Sequence, residues 1–307
     1  MRKSNLKIAS PLALVGTALC ASAAMALPKF ADWSTPTSIE ALPGSASSLN
    51  TPSLDGCVSL SRDGLTLFFN SNRAGNQDIY MAERADVDQG FDAPQRLPEP
   101  VNTAADEFCP TSVQGNRLYF SRARPGDPGD LLVSHGGRDG WAEPEVLDEN
   151  INSPLMDESA AFYEDDSGRQ VMLFSRRQAS GAGGAIFASV DGGPATPLSG
   201  GPDSPASDNR PSVTHDGLTL FFDSTRLGGL GGADLWVATR PDTSVDFGTA
   251  VNLRALNSPG FDARPSISWD GRELLFSSNR PGSESIAPDI WRTSREKARG
   301  GPKIITF

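Results

Sequence analysis

Five carboxylates recur at intervals of about 52 residues along this 307-residue chain: Asp55, Glu107, Glu158, Asp208 and Asp262. Two residues beyond them stand Cys57, Cys109, Ala160, Arg210 and Arg264. Alternate side chains of a strand share a face, so Arg210 is expected beside Asp208 and Arg264 beside Asp262. If the units close around an axis, these positions form a ring that is acidic on one half and charge-balanced on the other. Three kinds of chemistry fit it. The carboxylates could accept main-chain hydrogen bonds and fix the packing of neighbouring units, which their regular repetition favours. They could hold a cationic ligand or a Ca²⁺ ion, for which clustered hard oxygens are suited, with Asp55, Glu107 and Glu158 as ligands. Or two of them could act as acid and base on a glycosidic bond, at about 5 Å for a retaining mechanism and about 6.5–9.5 Å for an inverting one. Glu107 and Glu158 are the candidates for that pair, since their units have drifted furthest from the common pattern.

A second constellation repeats as well: an Arg after each apolar run and an Asp a few residues later. Arg73 with Asp78, Arg124 with Asp130, Arg226 with Asp234 and Arg280 with Asp289 are expected to pair across a loop. Arg177 has Ala185 where its partner should be. Other chemistry is sparse. The two histidines, His135 and His215, fall at expected turns or strand ends, which argues against a multi-histidine zinc site or a histidine triad. The run from Gly228 to Gly232 has no following helix to receive a phosphate. Most tryptophans sit at core positions, but Trp269 occupies a turn where other units carry Arg62 or His215.

These residues must be positioned by the repeat itself. Its clearest copies are DGCVSLSRDGLTLFFNSNRAGNQDIY from Asp55, DNRPSVTHDGLTLFFDSTRLGGLGGADLW from Asp208 and DARPSISWDGRELLFSSNRPGSESIAPDIW from Asp262. Glu107 to Leu131 and Glu158 to Phe187 are weaker copies. Cys57–Ser61 reads as a strand, Asp63-Gly64 as a tight turn with positive φ angles, and Leu65–Ser71 as the returning strand. Asp78–Glu83 and Phe91–Leu97 follow as third and fourth strands. Four antiparallel strands per unit make a propeller blade, so the fold expected is all-β, a five-bladed β-propeller. Residues 33–42 resemble a fourth strand without a blade of their own and are expected to complete the fifth, with Ile304–Phe307 as the rival for that place. The linkers Asn50-Thr51, Asn102-Thr103, Asn152-Ser153 and Asn257-Ser258 suit turns held by side chains.

Asp-x-x-Pro-Ser, Asp-Gly, Leu-x-Phe-x-Ser-x-Arg and Asp-Ile/Leu-Trp/Tyr together resemble the WD-repeat-like propeller repeat of the TolB type. The likeness is clear in units one, four and five and weak in two and three, where Gln114-Gly115-Asn116 and Asp165-Asp166-Ser167-Gly168 replace the Asp-Gly turn. It implies a periplasmic or cell-surface propeller used for binding.

Arg2, Lys3 and Lys7 precede an apolar stretch, and Ala24-Met25-Ala26 has the form of a cleavage site, so residues 1–26 read as a signal peptide and 27–307 as a single domain. Export to the periplasm or beyond would permit a disulfide between Cys57 and Cys109. With 27 basic against 38 acidic residues the chain carries a net charge of −11, and loss of the leader makes it more negative. Such a surface disfavours nucleic acid as a partner, and no mature segment has the length for membrane insertion. The reading at this level is a non-catalytic propeller that binds a partner protein or an envelope glycan, with a glycoside hydrolase-like enzyme as the alternative.

Overall fold

The computed structural model describes residues 30–137, 140–177 and 183–298. The proposed leader and Ile304–Phe307 lie outside the described residues. Five antiparallel sheets are arranged around an axis. In order from the axis outward, blade one is Asp55–Leu60, Thr66–Ser71, Asp78–Glu83 and Gln95–Arg96. Blade two is Asp106–Val113, Arg117–Arg124, Asp127–Gly137 and Glu145–Val146, with Gly140–Trp141 also paired to its long third strand. Blades three and four follow the same order from Asp157–Glu164 to Thr196–Pro197 and from Asp208–Val213 to Val251–Asn252. Blade five has Asp262–Ile267, Glu273–Ser278 and Asp289–Ser294.

The N-terminal segment supplies the missing outer strand. Thr37 and Ser38 pair with Arg292 and Trp291, so chain start and chain end meet in one sheet. The five innermost strands pack on one another in sequence, the last against the first. Between the sheets lie apolar layers such as Leu67, Phe69, Tyr80, Leu275 and Ile290 at the seam of blades five and one. That seam also holds a buried charge relay, in which Arg84 Nη2 and Arg292 Nε reach the two oxygens of Glu273 at 2.9 and 2.8 Å.

The Asp-Gly turns are tight, but only the glycine takes a left-handed conformation, with φ of 74° at Gly64. Asp63 instead accepts hydrogen bonds from Ser61 Oγ and Leu65 N. Its side chain thereby does the work of holding the turn. The linker asparagines pin each linker to the third strand of the blade before it rather than merely turning the chain. Asn102, for example, accepts from Ile79 N and donates to the carbonyls of Ile79 and Leu97. Asn50, Asn152 and Asn257 repeat this on Ile290, Leu131 and Leu235.

Candidate functional site

The repeated carboxylates are buried anchors. Asp55 Oδ2 accepts from the N and Oγ1 of Thr51, at 2.7 Å each, while Oδ1 meets Arg73 at 2.5 Å. Asp262 accepts from Ser258 N, Ser258 Oγ, Ser278 Oγ and Arg280 Nη2. Asp208 is held by Ser204, Ser224 and Arg226, and Glu107 by Thr103 and Arg122. The same box in blade three is built on Asp157, with Ser153 and Arg176. Burial pushes the Asp157 carboxyl above its ordinary value despite Arg176.

This corrects the sequence reading in two ways. Glu158 is one residue out of register, because Asp157, not Glu158, lies opposite Arg176 as Glu107 lies opposite Arg122. The arginines pair with the carboxylate opening the first strand rather than the third: Arg73 with Asp55, Arg226 with Asp208 and Arg280 with Asp262. In blades two and three the arginine has moved back two places along its strand, to the position of Ser71 in blade one. Hence Arg122 and Arg176 take the part expected of Arg124 and Arg177. Of the third-strand acids, Asp78 is bound by Arg96 and Asp234 by Asn252. Among the described residues no three His, Cys, Asp or Glu side chains form a metal-holding group.

What faces the axis is a different ring. Each innermost strand is interrupted by a bulge, and the bulged residue takes a positive φ: Cys57, Cys109, Ser159, Arg210 and Arg264, between 49° and 61°. A bulge re-aims a side chain out of the pleat, and a left-handed non-glycine residue costs about 1–2 kcal/mol. Neighbouring blades offset that cost by accepting the amide hydrogen. Cys57 N donates to Ser277 Oγ, Cys109 N to Asn70 Oδ1, Arg210 N to Ser175 Oγ and Arg264 N to Asp223 Oδ1. The bulge and its positive φ are thus the same five times, four of the five amides are held in this way, and the side chain changes. Cys57 and Cys109 are joined in a disulfide, with Cα atoms 4.8 Å apart. Ser159 stands where the shifted register had placed Ala160.

On the opposite half, Arg210 Nη1 meets Asp223 Oδ2 at 3.0 Å and Nη2 lies 3.7 Å from Glu158 Oε1. Burial works against the Arg210 charge, but Asp223 and Glu158 outweigh it and raise its pKa. Arg264 has no ion pair among the described residues, and burial, with Arg210 beside it, lowers its pKa to about 10. Burial likewise raises that of Asp223. Asp223 escaped the sequence reading, although a signal was there. It is a carboxylate in the place of Asn70, Ser121, Ser175 and Ser277 of the other blades.

Below the ring lies a chamber of about 60 Å³ lined by the five bulge residues and by Ser59, Thr111, Ser212 and Ser266. Those four hydroxyl residues also line a wider basin of about 260 Å³, which ends among the first turns of the blades. Gln114, Arg117, Tyr163, Gln170, His215 and Trp269 contribute to its wall. Trp269 is 43% exposed. The His215 ring stacks on it at 4.9 Å from blade four, and the Arg62 guanidinium lies 4.3 Å from its centroid from blade one. Arg62 also donates to Gln114 Oε1 at 2.6 Å. The three turn residues that differ between units therefore form one bracket across the rim.

No protein-family model and no curated protein matches the sequence. Among solved structures, the endo-arabinase of Bacteroides thetaiotaomicron is 16% identical with a TM-score of 0.52, over 87% of this chain and 99% of that one. The α-L-arabinofuranosidase of Podospora anserina, solved with cellotriose, is 11% identical with a TM-score of 0.55, over 88% and 98%. A protein described as TolB from Agrobacterium tumefaciens is 19% identical over 74% of this chain and 71% of its own, with a TM-score of 0.48, a superposition too loose to carry an argument. At such identities the first two likenesses establish a shared propeller fold and leave function to the site.

Proposed function

We propose that this chain is an exported β-propeller that binds a glycan in the axial basin without turning it over. The observation that carries the reading is the make-up of that basin. Hydroxyls of Ser59, Thr111, Ser212 and Ser266, amides of Gln114 and Gln170, and the rings of Tyr163 and Trp269 converge on it from all five blades. Fixed polar groups among aromatic edges suit a polyhydroxylated ligand. Acid–base cleavage needs two carboxylates facing one sugar. Of the two candidates, Glu107 is fully buried and held by Arg122 and Thr103, whereas Glu158 lies 3.7 Å from Arg210 and lines neither the chamber nor the basin.

A second reading is a carbohydrate-active enzyme, as the sequence alternative had it. Two observations favour it: Glu158 beside Arg210, an arginine that lines the chamber, and the fold shared with enzymes named for acting on arabinose-containing substrates. One experiment separates the readings. The mature protein is titrated calorimetrically with a panel of neutral and acidic oligosaccharides, while release of reducing ends is followed in parallel for wild type, Glu158→Gln and Gln114→Ala. Binding that Gln114→Ala weakens about tenfold, with no reducing ends released, supports the proposal. Reducing ends that vanish in Glu158→Gln establish the enzyme. Neither binding nor release overturns the glycan reading and directs the search to a protein partner.

A further inference from the structure

We infer that the chamber at the floor of the basin is an oxyanion site, in which Arg264 and Arg210 grip a phosphate, sulfate or carboxylate group. Three guanidinium nitrogens, Arg264 Nε, Arg264 Nη1 and Arg210 Nε, are buried without a hydrogen-bond partner among the described residues. Buried donors are almost always paired in folded proteins, and an unpaired charged one is costly. Both nearby carboxylates contact the Arg210 side chain, Asp223 directly and Glu158 at 3.7 Å, and act on the Arg264 guanidinium only through space. Asp223 Oδ1 touches Arg264 only through the backbone amide. The Arg264 side chain is therefore a chamber-lining cation for which its own fold provides no acceptor. Nε and Nη1 stand on different edges of the guanidinium, so an oxyanion is gripped in parallel hydrogen bonds only through Nη2, which shares an edge with each of them.

Size limits what enters. The chamber measures about 60 Å³, where roughly 10–15 Å³ suffices for one water. A group of three or four oxygens fits and a whole sugar ring does not. The walls contribute prolines 110, 211 and 265, the disulfide and hydroxyl residues, so apart from Arg210 and Arg264 the lining is uncharged. Because the chamber shares Ser59, Thr111, Ser212 and Ser266 with the basin, the anion is placed as the end group of a ligand lying in the basin. That last step rests on the basin reading; the oxyanion site itself does not. With a net charge of −11 the protein as a whole repels anions, so selectivity for a charged end group has to come from these local donors.

The test is thermal unfolding of the mature, disulfide-bonded protein titrated with phosphate, sulfate and acetate, at constant ionic strength set by chloride. Glucuronate is compared with glucose in the same assay. Wild type is expected to gain several degrees with an oxyanion. Arg264→Met is expected to lose at least tenfold in apparent affinity, yet to be no less stable than wild type without anion, since it removes an unpaired buried charge. Arg264→Lys should respond weakly, keeping the charge but not the fork. Phosphate and sulfate exceeding acetate assigns a tetrahedral group; glucuronate exceeding both acetate and glucose assigns an acidic sugar. An equal response in wild type and Arg264→Met, or none in wild type, overturns the site. So does a crystal structure grown in phosphate with water alone between the guanidinia, a result that holds even if Arg264→Met fails to fold. Anion binding without oligosaccharide binding would sink the basin reading and leave the oxyanion site standing.

Discussion

The two ends of each innermost strand obey opposite rules. At its start, an Asp or Glu, a linker Ser or Thr and an Arg recur in all five blades, and each carboxylate is sealed by those partners. Two residues further in, the backbone repeats as faithfully, with the same bulge and the same positive φ, but the side chains are a disulfide, a serine and two arginines. Every requirement is met locally in the first set. In the second, three guanidinium nitrogens are left without acceptors. A contact that every blade needs in order to pack is kept in every blade; a group that meets a ligand has to differ between blades, because the ligand lacks fivefold symmetry. The axial ring is therefore where function is to be sought, although the carboxylates are the more conspicuous feature of the sequence.

The sharpest way to break this comparison is to cut one member from each set. Asp262→Ala removes the acceptor of four hydrogen bonds and leaves Arg280 buried without its counter-ion. Loss of one partner of a buried pair costs about 3–5 kcal/mol, so its denaturation midpoint should fall far below that of wild type. Arg264→Met, two residues away on the same strand, should cost nothing. Equal losses would mean that the axial arginine is as architectural as the box.

Cleaving the disulfide sharpens the comparison within the axial ring. Cys57 and Cys109 are 52 residues apart in sequence, and a crosslink closing a loop of that size stabilises a fold by about 2–4 kcal/mol. The double variant Cys57→Ala/Cys109→Ala is expected to lose that amount in equilibrium unfolding while keeping the anion response of Arg264. One half of the ring would then be a clasp and the other half a site. Retained stability would make the cysteines part of the ligand surface instead.

How much of this was legible follows from the same division. The repeat period, the Asp-Gly turns and the spare strand near residue 37 are local patterns, and they specified five blades and their closure. The partners of the arginines were not legible, because pairing across a strand depends on register. A one-residue error moved the third carboxylate from Asp157 to Glu158 and its neighbour from Ser159 to Ala160. The bulge left no mark of its own in the sequence, since Cys, Ser and Arg rather than glycine carry the positive φ. Arg210 and Arg264 do line the axial chamber, but the sequence assigned them to Asp208 and Asp262. The bulge turns them away from those acids, and among the described residues only Arg210 finds other acids in ion-pair contact, Asp223 and Glu158.

The smallest effect expected probes the place where the repeat itself fails. Asp78 and Asp234 open third strands, and each is bound by a residue of the outer strand, Arg96 and Asn252, placed opposite Tyr80 and Trp236. In blade five the outer strand comes from the N-terminus, and Ser38 occupies that place opposite Trp291. Ser38 is turned to Asn50 and Glu40, and Asp289 keeps one bond, from Glu284 N, with Oδ1 unpartnered. Burial, reinforced by Asp55, Glu284 and Glu40, pushes its pKa from 3.8 up to about 6. The folded protein therefore holds a proton between about pH 4 and 6 that the unfolded chain has released. Stability falls as pH rises through that window, and the whole cost is present above it. Asp289→Asn should gain about 1 kcal/mol at pH 7, allowing for partial screening, and nothing at pH 4, as read from urea unfolding at both values. Asp78→Asn, at the same position of blade one, should have the opposite sign at pH 7, because it discards the Arg96 pair. Two changes of the same sign would mean that the closing strand supplies Asp289 with a partner as good as Arg96.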